Sequence, residues 1–370
     1  MSYLAAGAST QSRARRPLPE GWDPVVVDRS GAEETWANPA HKISCTWALD
    51  QGGPIFGYTM SGDTFARMLG PGSIVSEDEI LAAQILVETV GPFLAGEDHV
   101  VRFFANGSDA CDCAIRLARY ATGRDRFLSY GYHGSSVIFA HPPQNGGVPS
   151  VIHWHTDIEF GYPLTRDDMP GSPAAIIVEV PSDDERAREY LASCREMCDL
   201  TGAVLILDEL VTGFRLALGG AAEYYGVKPD LACYGKALAN GRPIAALVGS
   251  RKLMEPLEDR VFYSNTYNGD PFNCAHLIAT LNRLTTGKDT IYPYIWGIGN
   301  QLRQAMLDVG ITLSGHAPRT YINMPEEERR KFCAEMVRRG IVMDRPNYAT
   351  LAHTEKHVEL TRRAAETVLG

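Results

Sequence analysis

Four short segments of the chain carry residue types that could do chemistry, and the first is a turn that could hold an anion. Asn106-Gly107-Ser108-Asp109-Ala110 follows the apolar run Val100–Phe104 and opens a helical pattern. Backbone N–H groups at a helix start, together with the helix dipole, attract a phosphate group. Strand–turn–helix junctions of this kind are common, so taken alone the segment is more typical of an ordinary structural turn.

The second segment is a pair of neighbouring acids, Asp208 and Glu209, at the end of the apolar run Ala203–Leu207. Open α/β sheets bind ligands beyond the carboxyl ends of their strands. A carboxylate buried there needs a cationic or hydrogen-bonding partner, and a protonated ring nitrogen of a cofactor is one candidate. The alternative is an acid that caps the next helix.

The third segment holds Lys236, which differs from the other lysines because a glycine and apolar residues surround it in sequence. Burial in an apolar pocket disfavours the ammonium form and lowers the pKa of a lysine. A lysine that forms a Schiff base needs that property. A surface lysine whose charged end reaches solvent is the alternative.

The fourth segment, Gly131-Tyr132-His133-Gly134, could lay an aromatic ring flat on a cofactor or bury a core tyrosine. A further polar turn, Asn265-Thr266-Tyr267-Asn268-Gly269-Asp270-Pro271, is a second possible phosphate cradle. A phosphate turn, a stacking aromatic, an acidic strand end and a Gly-Lys pair are together what pyridoxal 5′-phosphate (PLP) requires. They anchor its phosphate, cover its ring, pair its ring nitrogen and hold its aldehyde. The combination predicts a PLP site.

The elements that must position these segments alternate between strands and helices. Short apolar runs at Val100–Phe104, Ala174–Val180, Ala203–Leu207 and Ala245–Val248 alternate with helical segments near 110–121, 185–200 and 272–284. This alternation favours an α/β fold with a mostly parallel sheet. The pattern also predicts a helix over 77–94 with Ser76 as its N-cap.

The pattern changes along the chain and suggests two domains. We expect a flexible basic leader at 1–20, an N-terminal segment of a small domain at 21–75 and a large domain at 76–288. The small domain is completed by an α+β segment at 289–370, with helices over 326–339 and 355–368. Strand-like pieces in the N-terminal segment are Val25–Val27 and Lys42–Ala48.

Composition excludes several function classes. With 370 residues and a formal net charge of −10, a general nucleic-acid binder is not expected. We find no apolar run long enough to span a membrane and no apolar core for a secretory signal before Pro17, so we expect a cytoplasmic protein. Eight cysteines in a chain of this length do not form a disulfide framework.

Other sequence signals are absent or read as structural. The chain has no P-loop, no zinc-protease helix, no nucleophile elbow and no dinucleotide-binding fingerprint. His153 and His155 would share one face of a strand, but without a third ligand we expect no metal site. The close pairs Cys111/Cys113 and Cys194/Cys198 lie in helical segments, where cysteine behaves as a small apolar residue.

Over residues 95–285 the sequence resembles the class III (subgroup II) aminotransferases of PLP fold type I, and in particular the glutamate-1-semialdehyde 2,1-aminomutase-like branch. The matching segments are Asn106–Ala110 for S-G-T-E-A, Thr122–Asp125 for T-G-R-D, Tyr132–Gly134 for Y-H-G, Leu207–Arg215 for D-E-V-x-T-G-F-R, Tyr225–Lys236 for Y-x-V-x-P-D-L…G-K, Asn265–Pro271 for G-T-x-S-G-N-P and, weakly, Ala352–Glu355 for A-H-T-x-x-D. Ala239-Asn240-Gly241-Arg242-Pro243 departs from the usual G-G-G-x-P, the C-terminal lobe is short, and the aminomutases' N-terminal substrate segment is not recognisable.

The resemblance implies roles for particular residues. Lys236 would form the Schiff base and move the proton, Asp208 would keep the ring nitrogen protonated, and Tyr132 would stack on the ring. Cofactor binding would also involve Gly107, Ser108, His133 and Glu179, with Glu179 or Glu209 near the ring hydroxyl or ordering the site. Thr266 would reach the cofactor phosphate of a neighbouring subunit, which implies a homodimer, and Arg345 could bind a substrate carboxylate or form a surface salt bridge.

The implied activity moves an amino group between a small-molecule amine or amino acid donor and a carbonyl acceptor. An intramolecular aminomutase uses the same chemistry and stays open as an alternative. A catalytically inactive PLP-fold binding protein is a second alternative, and another PLP reaction such as racemisation or decarboxylation is a third. The substrate and the amino donor are not specified by these motifs.

Overall fold

The structure, a computed structural model, describes residues 75–140, 155–158, 163–169, 171–180, 184–344 and 346–370, together with Ile55 and four N-terminal strands. Contacts divide the chain into two units. One holds residues 61–292, and the other holds residues 1–60 and 293–370. These divisions fall within fifteen residues of the predicted domain limits at 75/76 and 288/289. The predicted leader at 1–20 lies outside the described residues.

The strands are β1 (Val25–Ser30), β2 (Glu33–Ala37), β3 (Lys42–Cys45), β4 (Trp47–Ala48), β5 (His99–Phe104), β6 (Phe127–Tyr130), β7 (His155–Asp157), β8 (Ala175–Glu179), β9 (Val204–Glu209), β10 (Leu231–Tyr234), β11 (Ala245–Ser250), β12 (Leu313–His316), β13 (Arg319–Ile322), β14 (Ile341–Val342) and β15 (Asn347–Tyr348). The α-helices are α1 (Glu77–Val90), α2 (Gly107–Thr122), α3 (Asp184–Thr201), α4 (Gly220–Tyr225), α5 (Arg251–Met254), α6 (Pro271–Asp308), α7 (Glu326–Arg338) and α8 (Glu355–Leu369).

The unit formed by residues 61–292 is built on a seven-stranded sheet in the order β5-β11-β10-β9-β8-β6-β7. Strands β10, β9, β8, β6 and β7 pair in parallel, whereas β11 runs antiparallel to both of its neighbours. The prediction of a mostly parallel α/β sheet is confirmed. Because parallel strands end at one edge, residues at the ends of β8, β9 and β10 lie side by side.

The register of this sheet brings three chemically distinct side chains onto one row. Asp208 on β9 pairs with Glu179 on β8 and with Cys233 on β10. The next residue, Glu209, pairs with Tyr234, two residues before Lys236. The sheet therefore places the acidic strand end next to the segment that carries the lysine.

Helix α2 covers one face of the sheet and anchors its core. The buried cluster joins side chains of α2, such as Ile115 and Leu117, to sheet residues such as Phe104, Ile177 and Leu247. Burial of apolar area on this scale is the main term that stabilises such a layer. Residues at the first turn of α2 are consequently held in a fixed position relative to the strand ends.

The predicted helix boundaries are close to the observed ones except in α6. Ser76 caps α1 as expected, its Oγ accepting from the Glu79 N–H at 3.1 Å. The prediction that a helix near 272–284 gives way to a mixed segment after 290 was wrong, because α6 continues to Asp308 through Pro293. Buried side chains keep helical spacing through this stretch, at Ile291, Ile295, Ile298 and Leu302.

The described residues of the other unit form small sheets, helices α7 and α8, and the C-terminal part of α6. Strands β1-β2-β3 form one antiparallel sheet, β12-β13-β15 form another, and β14 pairs in parallel with β4. Helices α7 and α8 occur at the predicted positions. No described helix of the chain is long and apolar enough to cross a membrane.

Candidate active site

The first turn of α2 has the geometry of an anion site. Asn106 is the N-cap, and its side-chain oxygen accepts from the Asp109 N–H at 3.0 Å. Intrahelical bonds cannot use the N–H groups of Gly107 and Ser108, because they lie in the first turn. Together with the dipole of a 16-residue helix, these groups suit a phosphate.

The loop after β6 packs directly against this turn. The Ser135 N–H donates to Ser108 Oγ at 3.0 Å. Gly134 has φ +99°, and a Cβ built on it would lie 2.8 Å from Ser108 Cα. The loop that carries Tyr132 and His133 is therefore locked to the start of α2, and two segments far apart in sequence form one surface.

Asp208 lies at the centre of a buried hydrogen-bond network at the end of β9. Its Oδ2 accepts from His133 Nδ1 at 2.8 Å and from Cys111 Sγ at 3.6 Å, and its Oδ1 accepts from the Leu210 N–H at 3.0 Å. Asp208 and His133 are each 2% exposed. Buried carboxylates need such donors, and three donors keep this side chain in one orientation.

His133 therefore contacts Asp208, and its second ring nitrogen, Nε2, is buried without a hydrogen-bond partner among the described residues. The ligating atoms of Cys111, His133 and Asp208 all lie within 4.8 Å of one another, a grouping compact enough for a metal ion. Sequence reasoning treated Cys111 as an apolar helix residue and missed its contact with Asp208. The signal available was its position four residues after Gly107, on the same face of α2.

Tyr132 and Glu179 meet on the neighbouring strand ends. The Tyr132 N–H donates to Glu179 Oε2 at 3.0 Å, and a Cβ on Gly131 would lie 2.5 Å from Glu179 Cβ. The Tyr132 ring is 73% exposed. An aromatic ring held in place by its backbone yet left open on its surface can cover the ring of a ligand.

Lys236 occupies the turn directly after β10. It is the one exposed residue in the stretch Leu231–Ala239, so the expectation that apolar neighbours bury it was wrong. The neighbours, including Ala237 and Leu238, pack into the core, whereas Lys236 lies on the open side of the turn. Lys236 also has φ +47°, a left-handed conformation that a residue with a side chain adopts at some cost and that is frequent at functional sites.

Leu210 links the lysine turn to the phosphate turn, a role that sequence reasoning missed. A Cβ on Gly107 would lie 2.5 Å from Leu210 Cδ1, and a Cβ on Gly235 would lie 2.7 Å from Leu210 Cδ2. Leu210 thus fills the space between the start of α2 and the residue before Lys236. The sequence offered no signal for this, because an apolar residue after two acids is unremarkable in a loop.

Glu209, expected either near the ring hydroxyl or as a residue that orders the site, holds the following loop in place. It is fully buried and accepts from Thr212 Oγ1 at 2.5 Å, from the Ala221 N–H at 2.9 Å and from the Ala222 N–H at 2.8 Å. Burial raises the pKa of Glu209 to about 7, although these three donors act in the opposite direction. The Glu209 carboxylate thus holds the loop 210–219 against the start of α4.

The turn with Thr266 is exposed and lies beside the phosphate turn. Asn268 Oδ1 accepts from the Ala105 N–H at 3.2 Å, one residue before the N-cap of α2. Tyr263 anchors the start of this segment, with its ring under the Arg116 guanidinium at 4.6 Å. The hydrogen bond between Asn268 and Ala105 therefore holds the turn that carries Thr266 next to the start of α2, where Gly107 lies.

The remaining residues named from the sequence are Arg345 and the histidine pair His153 and His155. Arg345 is outside the described residues. Of the predicted histidine pair, His153 is outside them too, and His155 is buried in β7, stacked on Phe127 with ring centroids 4.7 Å apart. His155 also contacts Ser129 and Asp157, so its described contacts are those of a structural residue.

Comparison with known proteins gives a family match and a fold. Residues 166–310 match the family model described as aminotransferase class-III, and this region includes Asp208 and Lys236. The structure is similar to that of the Sphingopyxis sp. MTA144 FumI protein in its PLP internal aldimine form, with 24% identity and a TM-score of 0.83 over 96% of this chain and 90% of that one.

Two further solved structures are similar to a comparable extent. A transaminase with PLP bound is 21% identical, with a TM-score of 0.84 over 100% of this chain and 94% of that one. An omega-transaminase from Sphaerobacter thermophilus is 22% identical, with a TM-score of 0.82 over 99% of this chain and 94% of that one. The chain has the fold of the PLP-dependent transferases of fold type I, as the sequence predicts.

Proposed function

We propose that this chain is a cytoplasmic PLP-dependent aminotransferase that moves an amino group from an amine or amino acid donor to a carbonyl acceptor. One observation carries the proposal: a buried, triply hydrogen-bonded Asp208 and an exposed Lys236 lie at the ends of adjacent parallel strands, beside a helix N-terminus. The class-III match over residues 166–310 supports the reaction class.

The described residues fit PLP at three points. The first turn of α2 offers Gly107 and Ser108 N–H groups to the phosphate. Asp208 is a buried acceptor suited to a protonated ring nitrogen. Lys236 offers an amine for the aldehyde. The site thus supplies an anion cradle, an acid partner and a nucleophile, each on a different element of one sheet edge.

When bound, PLP supplies an aldehyde that condenses with amines and a ring that accepts electrons from the substrate carbon. Lys236 would hold the aldehyde carbon through Nζ and, once displaced by the substrate amine, carry a proton between the substrate carbon and that position. Asp208 would hold the proton on the ring nitrogen. Tyr132 would cover the ring face, with its backbone fixed by Glu179, and His133 would orient Asp208.

We propose a homodimer in which Thr266 reaches the cofactor phosphate of the neighbouring subunit. Support comes from the exposure of Thr266 and from the bond that fixes its turn to Ala105. Exposed apolar side chains on the same unit, among them Ile80, Leu81, Phe262 and Tyr267, provide surface that a second copy could bury. We propose that Arg345 binds a substrate carboxylate, as its place in the sequence suggests.

The test is to add PLP to the purified protein and record its visible absorbance, then reduce with borohydride and identify the modified lysine. The expected result is a yellow species that borohydride traps on Lys236. Lys236→Ala removes the trapped product. Lys228→Ala, a change at another lysine of the same unit, retains it and serves as the matched control.

A panel of amine donors then separates the remaining alternatives. A donor that bleaches the yellow band and releases a free carbonyl product supports the aminotransferase. An isomerised product with no free keto product supports an aminomutase of the glutamate-1-semialdehyde type, and net racemisation or CO₂ release supports another PLP reaction. Binding of PLP with no conversion of any donor supports the inactive binding protein. Failure to bind PLP contradicts the proposal.

A further inference from the structure

The Cys111 thiol is a buried hydrogen-bond donor to the carboxylate proposed to hold the ring nitrogen. Its Sγ lies 3.6 Å from Asp208 Oδ2, a normal distance for an S–H donor, and the residue is fully buried. Oδ2 also accepts from His133, whereas Oδ1 accepts only from the Leu210 N–H among the described residues. The thiol is thus one of three groups that fix the orientation of the carboxylate.

Cys111 lies on α2 in a position that joins two cofactor contacts. It follows Gly107 by four residues, so the two residues share one face of the helix about one turn apart. The first turn of α2 faces the proposed phosphate, and the second turn contacts the proposed partner of the ring nitrogen. A shift of α2 along its axis would therefore change both contacts together.

A second buried thiol, that of Cys233, lies beside Asp208 and close in sequence to the lysine. Cys233 pairs with Asp208 across β9 and β10, and it lies three residues before Lys236. A hydrogen bond with Cys233, burial and the nearby Asp208 charge all raise the pKa of the Cys111 thiol well above its usual range. The contact of Cys111 with Asp208 itself rests on the 3.6 Å distance between Sγ and Oδ2.

We propose that Cys111 is a positioning residue that donates its S–H to Asp208 Oδ2 and thereby sets the distance between the ring-nitrogen partner and the phosphate turn of α2. This inference rests on the proposed PLP site. It goes beyond a space-filling role, because a buried cysteine that only packs could be replaced by an apolar residue of similar size without a specific effect on the ring nitrogen.

The test compares PLP with its carbocyclic analogue, in which a C–H group replaces the ring nitrogen. Dissociation constants of both are measured on apoprotein of the wild type, Cys111→Val and Cys111→Ser. Cys111→Val removes the donor and leaves an apolar side chain slightly larger than cysteine. It is expected to weaken PLP binding about five- to tenfold, the worth of one ordinary hydrogen bond, because a thiol is a weak donor. Binding of the analogue is expected to stay unchanged, because it offers nothing to Asp208.

Cys111→Ser keeps a donor and is expected to restore most of the PLP affinity. Cys113→Val is the matched control, since Cys113 is fully buried on the same helix and has no described hydrogen bond to Asp208. Thermal unfolding of each apoprotein reports whether a variant has lost its fold. If Cys111→Val cannot be purified folded, Cys111→Ser and Cys111→Ala carry the same comparison.

Equal losses for PLP and for the analogue would show that Cys111 only supports packing, and unchanged PLP affinity in Cys111→Val would show that the thiol contact is dispensable. Either result overturns the inference while leaving the PLP site intact. A wild-type protein that binds neither compound would instead refute the proposed function itself, so the two failures are distinguishable.

Discussion

Substitution of Gly134 by alanine tests whether the loop after β6 holds the phosphate turn in place. Gly134 has φ +99°, where a residue with a side chain is strained by about 1–2 kcal/mol. The added Cβ would also lie 2.7 Å from Ser108 Cβ and 2.8 Å from Ser108 Cα. Because the second neighbour is backbone, relief requires a shift of the first turn of α2, which adds about 1–3 kcal/mol.

The matched control is Gly123→Ala at the other end of α2. Gly123 has φ +65°, and an added Cβ would meet nothing within 4 Å. The unfolding free energy of this variant should fall by only about 1 kcal/mol, the cost of placing alanine in a left-handed backbone conformation. The predicted difference in the free energy of unfolding between the two variants is therefore about 1–4 kcal/mol, with Gly134→Ala the less stable.

Urea unfolding of the two apoproteins measures the stability difference, and titration with PLP measures the effect on the site. Because Gly134→Ala displaces Ser108, we expect PLP affinity to fall about tenfold or more, equivalent to about 1.4 kcal/mol. Gly123→Ala should retain wild-type affinity. The reasoning is refuted if both variants lose the same stability, or if Gly134→Ala binds PLP as tightly as Gly123→Ala.

Three further outcomes are expected. Because burial raises the pKa of Glu209 to about 7, the folded protein holds this proton more tightly than the unfolded chain. The unfolding free energy of the wild type, relative to that of Glu209→Gln, should therefore fall by up to about 3 kcal/mol as the pH rises from about 4.5 to 7. Urea unfolding of both proteins at the two pH values measures this. The same difference between the two proteins at both pH values would contradict the prediction. Leu210→Ala should lower the unfolding free energy by about 1–3 kcal/mol and also weaken PLP binding, since Leu210 fills the space between Gly107 and Gly235. Asn268→Ala removes the acceptor of the Ala105 N–H and should cost about 1 kcal/mol of stability. Leu210→Met is the conservative control for Leu210→Ala, and Asn268→Asp is the control for Asn268→Ala. Wild-type behaviour of Leu210→Ala would refute the packing role of Leu210, and wild-type behaviour of Asn268→Ala would refute the hydrogen bond with Ala105.

Much of the fold was predictable because the signals are local. Apolar runs such as Val100–Phe104 and Ala174–Val180 became β5 and β8, and Ser76 caps α1 through its own side chain. The continuation of α6 past Pro293 was not predicted. A proline inside a helix is unfavourable on its own, and here the burial of Ile291, Ile295, Ile298 and Leu302 accompanies the continued helix.

The environment of Lys236 was not predictable from its neighbours in sequence. Ala237 and Leu238 suggested an apolar pocket, yet they turn into the core while Lys236 stays exposed. The amino-acid sequence gives the order of residues along the chain, but it does not give the direction of each side chain in an irregular turn. The left-handed backbone of Lys236 sets that direction here.

By itself the sequence determined the chemistry that the chain can carry: a lysine after a glycine, an acid at a strand end, a polar turn before a helix and an aromatic between two glycines. Those features depend on residue type and on spacing of a few positions. Only the tertiary structure decided that Cys111 and His133 share Asp208 Oδ2, that Leu210 separates Gly107 from Gly235, and that Glu209 serves the loop before α4. The physical reason is that these contacts join residues up to about one hundred positions apart, brought together by sheet register and helix packing that no local pattern encodes.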